Sequence, residues 1–241
     1  MKNSMPTLPP RHKKTRLPAR LAAIAERLPE EGVFCDVGSD HGLLPLFLLQ
    51  QRKALRAVVT DIKPLPLARA KEALAAGGVA DRAECVLADG IASLGGRGID
   101  FYAIAGMSGE TIAQILREGK TTLHARQRFY LQPMSHEDIL RTHLSVEGFR
   151  ITEETVIREN GKLFLLICAT FTGMPGEAPD PNTAALGMYL DQHPGVWGRA
   201  YFEIKRDRLV RTAEKRRAAG LDAFDQESVL ARIREILKEE P

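Results

Sequence analysis

Four short stretches hold the residue types that could do chemistry. They are Asp36-Val-Gly38-Ser39-Asp40-His41-Gly42, then Asp61-Ile62, then Asp89-Gly90, then Ala105-Gly106-Met107-Ser108-Gly109. Each pairs a carboxylate or a glycine with a preceding apolar, β-prone run, at the spacing of successive strand–helix units. Two kinds of cofactor compete for such an edge. A nicotinamide dinucleotide needs Gly-x-Gly-x-x-Gly, so that backbone and a helix N-terminus can approach a diphosphate. Here the glycines are Gly38 and Gly42, and Asp40 stands where the second dinucleotide glycine would be. A carboxylate there repels a diphosphate. S-adenosylmethionine carries no phosphate; its sulfonium and ammonium are cationic and suit a turn holding Asp36 and Asp40. Asp61 is placed to accept both ribose hydroxyls, and Asp89 to accept the adenine amino group, with Gly90 leaving room for the ring. Acids acting as helix N-caps would explain one or two of these residues, but not the set. The cofactor set is therefore Asp36, Gly38, Ser39, Asp40, His41, Gly42, Asp61, Ile62, Asp89, Gly90, Ala105, Gly106 and Met107, with no metal.

The elements that must position them follow from periodicity. Apolar residues at helical spacing from Leu17 to Leu28 predict a first helix, closed near Pro29 and Gly32. Strands are expected at 33–37, 57–62, 83–89, 100–105 and 128–132, each followed by a helix or short turn. Two more, at about 151–158 and 163–171, flank Asn160-Gly161, a strong hairpin signal. Five β–α units followed by an antiparallel hairpin predict an α/β fold. Its Rossmann-like sheet has seven strands, mostly parallel, with helices on both faces, as in class I methyltransferases. Residues 173–182 are rich in Gly and Pro and read as a linker. Beyond it the pattern is helical, with a long helix at about 198–219 and a last one at 225–239. The latter carries Val229, Leu230, Ile233, Ile236 and Leu237 at heptad-like spacing. The expected organisation is a basic N-terminus (1–16), a cofactor domain (17–173) and a coiled-coil-like helical hairpin (174–241). That hairpin is either a buttress or an RNA-gripping arm.

Composition narrows the class. The chain has 241 residues, a net charge of +3 and no apolar run long enough to span a membrane. No signal-type segment follows the N-terminus, so cytoplasmic action is expected. Cys35, Cys85 and Cys168 fall in separate strands and read as buried free thiols rather than a disulfide or zinc set. Charge is unevenly placed. Residues 1–20 hold Lys2, Arg11, Lys13, Lys14, Arg16 and Arg20 with no acid, and 199–217 hold eight basic residues against three acids. Two such patches fit either a polyanion partner such as RNA or simply solvated faces.

The motifs DVGSDHGLLP, VVTDI, ADG, IAGMSG and LQPM (131–134) resemble the bacterial tRNA methyltransferases that modify N1 of adenine 22. The resemblance runs from about Arg20 to Thr172 in motif order, and by architecture to the C-terminus. It implies methyl transfer from S-adenosylmethionine to an adenine N1 in tRNA; a monomer or weak dimer is expected. It also places Asp40, His41 and Ser108 in the catalytic region. Asp40 would stabilise the cationic methylated ring or take a proton from N6. His41 either contacts cofactor or base or is a satisfied turn histidine. The family pattern after the fourth strand is closer to AGMGG, so Ser108 replaces a glycine. Gln132 would bond the adenine edge or cap the following helix. Arg20, Lys205, Arg206, Arg208, Arg211, Lys215 and Arg216 would contact RNA phosphates. The rival readings are methylation of another RNA position or of a protein, a non-catalytic RNA-binding relative, and a nicotinamide oxidoreductase.

Overall fold

The computed structural model describes residues 15–29, 31–39 and 41–238. In chain order its elements are α1 (Ala19–Arg27), β1 (Val33–Val37), α2 (Leu43–Gln50), β2 (Arg56–Asp61), α3 (Pro64–Ala76), β3 (Ala83–Leu87) and β4 (Phe101–Met107). There follow α4 (Gly109–Gly119), β5 (Arg128–Pro133), α5 (Glu137–Val146), β6 (Phe149–Glu159) and β7 (Lys162–Phe171). The chain then continues through α6 (Pro181–Leu186), α7 (Met188–Gln192), α8 (Gly195–Ala218) and α9 (Phe224–Lys238). One seven-stranded sheet runs in the order β3-β2-β1-β4-β5-β7-β6, with β7 antiparallel to both neighbours and the other pairs parallel. The expected fold class is present. Asn160 and Gly161 both have positive φ (49° and 77°), the geometry of the predicted hairpin turn. The basic segment 1–14 lies outside the described residues.

The parallel strands are apolar on both sides because helices cover both faces. Pleating sends successive residues to opposite faces. Val58, Cys35, Tyr102 and Phe129 stand in register in one row and join the core under α4 and α5, where the Tyr102 and Phe129 rings stack 4.8 Å apart. The next row, Val59, Asp36, Ala103 and Tyr130, faces the other core, built with α1, α2 and α3. Asp36 is thus a carboxylate set in an apolar row, at the carboxyl end of a central strand. The cysteines are free; Cys35 and Cys168 are buried, and burial pushes the Cys168 thiol up to about 12, which leaves it inert. Two strand ends depart from expectation by two residues, β3 stopping at Leu87. β4 continues through Gly106 to Met107, with a register irregularity against β5 that Gly106 accommodates at φ 80°.

The C-terminal helices share the sheet's core. Leu186, Leu190, Phe202, Val229, Ile233 and Ile236 belong to the cluster that contains Leu140, Leu144 and Leu165. Two ion pairs lock them down. Arg141 of α5 meets Glu154 of β6 (Nε–Oε1 2.7 Å, side chains 2% and 0% exposed) and donates through Nη1 to the carbonyls of Ala184 and Ala185 at the end of α6. Glu137, at the start of α5, accepts from Tyr201 Oη (2.8 Å) and from Lys205 Nζ on α8. Burial works to raise the Glu137 carboxyl, but the Lys205 ammonium and the two hydrogen bonds override it and lower it to about 2. Among the described residues no helix is long and apolar enough to cross a membrane.

Glu137→Ala leaves the Lys205 ammonium buried without its partner, so urea unfolding is expected to show a loss of about 3 kcal/mol. In the wild type, the depressed Glu137 adds stability that is complete above about pH 4.5 and disappears as pH falls towards 2. A variant as stable as wild type at pH 7 rules out the clamp.

Candidate functional site

The carboxyl ends of β1, β2, β3 and β4 open onto two cavities that share Val37 and Gly38 as a wall. The larger, about 420 Å³, lies towards β2 and β3 and is lined by Asp61, Ile62, Asp89, Gly90, Met107 and Thr111 among others. The smaller, about 290 Å³, lies towards α1 and is lined by Asp36, Ser39, His41, Gly42, Ala105 and Gly106, together with Arg20. Every expected cofactor residue except Asp40 lines one cavity or the other; Asp40 lies outside the described residues.

The first turn is built against β2. Gly38 and Ser39 both donate their backbone N–H to the carbonyl of Thr60 (2.8 and 3.1 Å), and Gly42 N–H goes to Ser39 Oγ (3.1 Å). A diphosphate-binding turn needs such N–H groups aimed at the ligand; here three are already committed. Gly38 is required twice over. Its φ is 75°, and a Cβ there would lie 2.2 Å from Met107 Cε. At the end of β2 the Asp61 carboxylate accepts from Lys63 N–H (2.8 Å) through one oxygen, and the residue lines the larger cavity. Thr60 Oγ1 is buried on the same wall with no hydrogen-bond partner among the described residues. The alternation of β2 could have marked it; its plain side chain did not draw notice.

In the smaller cavity, burial raises the Asp36 carboxyl to about 6, a shift tempered by a hydrogen bond from Ser39. Arg20, expected above to contact RNA phosphate, lines the same cavity. Its backbone N–H is bonded to Glu159 Oε2 (2.9 Å), its Nε lies 3.3 Å from Glu159 Oε1, and its guanidinium lies 5.9 Å from the Phe164 ring centre. The hairpin thus holds Arg20 in the lining of the cavity that also contains Asp36, with its charge paired to Glu159.

Ser108 is not turned into either cavity. It caps α4, its Oγ accepting from Thr111 N–H (3.1 Å) and bonding Thr111 Oγ1 (2.9 Å). The serine in place of the family glycine therefore serves the helix start. Gln132, at the end of β5, pairs in register with Ala105 and is 1% exposed. Its Nε2 donates to the Pro133 carbonyl (3.2 Å), and its Oε1 is buried with no partner among the described residues. It does not cap α5, whose first residue follows His136.

The basic residues of α8 divide by helical phase. Lys205, expected above to contact phosphate, is turned inward onto Glu137, 13% exposed. Arg206 pairs with Asp207 (2.9 Å), and Arg216 donates to the Asp222 carbonyl in the turn to α9. Arg208, Arg211 and Lys215 are exposed at the i, i+3, i+7 spacing of one helix face.

Residues 17–167 match the family described as a methyltransferase domain. The chain is 32% identical over 175 residues to the tRNA (adenine(22)-N(1))-methyltransferase of Bacillus subtilis, covering 73% of this chain and 71% of that one. A Streptococcus pneumoniae protein solved in complex with S-adenosyl-L-methionine superposes with a TM-score of 0.79 at 27% identity, covering 90% of this chain and 98% of that one. The solved B. subtilis tRNA methyltransferase gives a TM-score of 0.80 at 24% identity over 92% of this chain and 99% of that one, a likeness of fold.

If Ser108 acts through its cap, Ser108→Ala lowers stability by about 1 kcal/mol and Ser108→Gly by only a few tenths, read from thermal or urea unfolding. A methyl-transfer defect in Ser108→Gly without a change in cofactor affinity would instead give the hydroxyl a role at the base.

Proposed function

The chain belongs to the methyltransferase-domain family, alongside the tRNA (adenine(22)-N(1))-methyltransferases, and on that premise we propose that it transfers a methyl group from S-adenosylmethionine to N1 of adenine 22 in tRNA. The observation that carries this is the pair of cavities divided by Gly38, with Asp61 lining one and Asp36 and Arg20 lining the other. The donor set fits the cofactor. Asp61 and the unpartnered Thr60 hydroxyl suit a ribose, Asp89 and Gly90 suit an adenine, Asp36 suits a cationic ammonium or sulfonium, and Arg20 suits the carboxylate of an amino acid. The committed N–H groups of Gly38 and Ser39 speak against a diphosphate.

The cofactor supplies an electrophilic methyl on sulfur, displaced as the adenine N1 lone pair forms the new N–C bond. The neutral base already carries that lone pair, so the protein need not create a nucleophile; its work is alignment and charge. Adenine N1 lies on the Watson–Crick edge, so the base must leave its pair to reach the site. Ala105 and Gly106 floor the approach, and the Gly106 position is open to solvent. The buried, unpartnered Gln132 Oε1 beside Ala105 suits the N6 amino group as an acceptor, a contact that guanine, with a carbonyl there, would not make. The site cavities contain acids, Asp36 among them, that offset the positive charge the ring acquires. The exposed stripe Arg208, Arg211 and Lys215 suits tRNA phosphates, and action on tRNA is consistent with a cytoplasmic protein.

Incubation with unmodified tRNA and methyl-labelled cofactor, followed by nucleoside analysis, is expected to yield 1-methyladenosine. Label in another nucleoside, or none, overturns the reading. Asp61→Ala should weaken cofactor affinity by at least about tenfold in calorimetry. Asp36 adds a pH signature. With its carboxyl near 6, protonation below that pH removes the anion that a cationic cofactor seeks. Affinity should therefore fall about fourfold from pH 7.5 to 5.5, and Asp36→Asn should bind weakly at both.

A further inference from the structure

A third cleft, of about 350 Å³, lies beside the transfer site. It is bounded by the Pro133–Met134 turn after β5, by Lys162 to Leu165 at the hairpin, and by Tyr201, Ile204 and Arg208 of α8. We infer that this cleft takes an unpaired nucleobase of the tRNA next to the adenine being methylated. The inference rests on the methyl-transfer reading above and adds a binding site to it.

Position comes first. Met134 N–H donates to the Met107 carbonyl (2.8 Å), and Pro133 pairs with Met107 in the sheet. The turn that closes the end of β4 is therefore also the wall of the cleft, so a nucleotide chain that delivers one base to Gly106 has its neighbour at this wall. The surface is the second point. Met134 and Ile204, at 55% and 52% exposure, are large apolar side chains left open to water on two sides of the cleft. Tyr201 is held by its bond to Glu137, so its ring is fixed. A flat aromatic base covers such walls; a bare phosphate leaves them wet.

Charge is the third point. Glu137 is the one acid lining the cleft among the described residues, and Lys205 neutralises it. What remains at the rim is Lys162 and Arg208, both exposed, and Arg211 and Lys215 carry the same sign onward along α8. An apolar slot with a cationic rim matches a base with its flanking phosphates. Arg208 can also lay its planar guanidinium on a base, which lysine cannot do. Extracting the target adenine loses its stacking with its neighbours; holding a neighbour in this cleft offsets part of that loss and sets the register of the strand.

The test uses the full chain and unmodified tRNA carrying 2-aminopurine at the nucleotide on either side of the target. In the wild type, one flanking position should change fluorescence on binding. Ile204→Ala should abolish that change and raise KM for tRNA about tenfold, with cofactor affinity unchanged. Arg208→Lys should raise KM several-fold, because it keeps the charge and loses the plane. Both side chains are exposed, so the fold is not at stake; unchanged unfolding curves confirm it. If the wild type methylates tRNA normally but neither flank responds and both variants keep wild-type KM, the base site is overturned. It is also overturned if Arg208→Ala weakens binding and Arg208→Lys restores it fully, which marks a phosphate contact only. A wild type that does not methylate tRNA overturns the methyl-transfer reading itself.

Discussion

The carbonyl of Thr60 accepts two hydrogen bonds, from the N–H groups of Gly38 and Ser39. Much of the site depends on this. The first turn is tied to the neighbouring strand, so it cannot offer those N–H groups to a phosphate. Gly38 becomes a thin wall, pressed against Met107, between two cavities. Because the same turn ends the central strand β1, the wall stands where the acids from β1 and β2 converge. Where a diphosphate turn would present free N–H groups to an anion, this one spends them on the neighbouring strand and stands beside carboxylates.

A second constraint joins this edge to the C-terminal helices. Glu137 begins α5 just beyond the Pro133–Met134 turn, and it holds Tyr201 and Lys205 of α8. The buried Arg141–Glu154 pair does the same deeper in, where Arg141 also meets the carbonyls ending α6. A buried pair of this kind gains little over an apolar contact, but breaking one side is expensive. Its effect is geometric. The Glu137 contacts set the rotation of α8, so that Lys205 faces inward while Arg208, Arg211 and Lys215 face outward. The helices thereby extend the transfer edge instead of standing apart from it.

Much of the site was legible. Asp61, Asp89 and the Gly38 turn could be placed because a parallel strand with a short turn puts its last residues on one edge, whichever helices surround it. The inward turn of Lys205 was hidden for an equally physical reason. Charged residues occur nearly all round α8, so its spacing says which residues share a face but not which face meets the protein. The contact of Arg20 with Glu159 could not be read from the chain, because the two are 139 residues apart. Ser108 looked like a site residue by its neighbours in the motif, yet a serine just ahead of a helix has a nearer use in its own cap.

Local patterns alone determined the order of strands and helices, the hairpin at Asn160-Gly161 and the row of carboxylates along one edge. Pleat alternation, glycine's access to positive φ and the repulsion between carboxylate and diphosphate act within a few residues, so the chain carries them in plain view. Tertiary structure decided which distant groups meet: Arg20 of the smaller cavity's lining with Glu159, Glu137 with Lys205 under α8, and the cleft between turn, hairpin and helix. Those meetings depend on the phase at which each amphipathic element settles on the shared core. That phase is set by packing summed over the whole molecule, which no single segment contains.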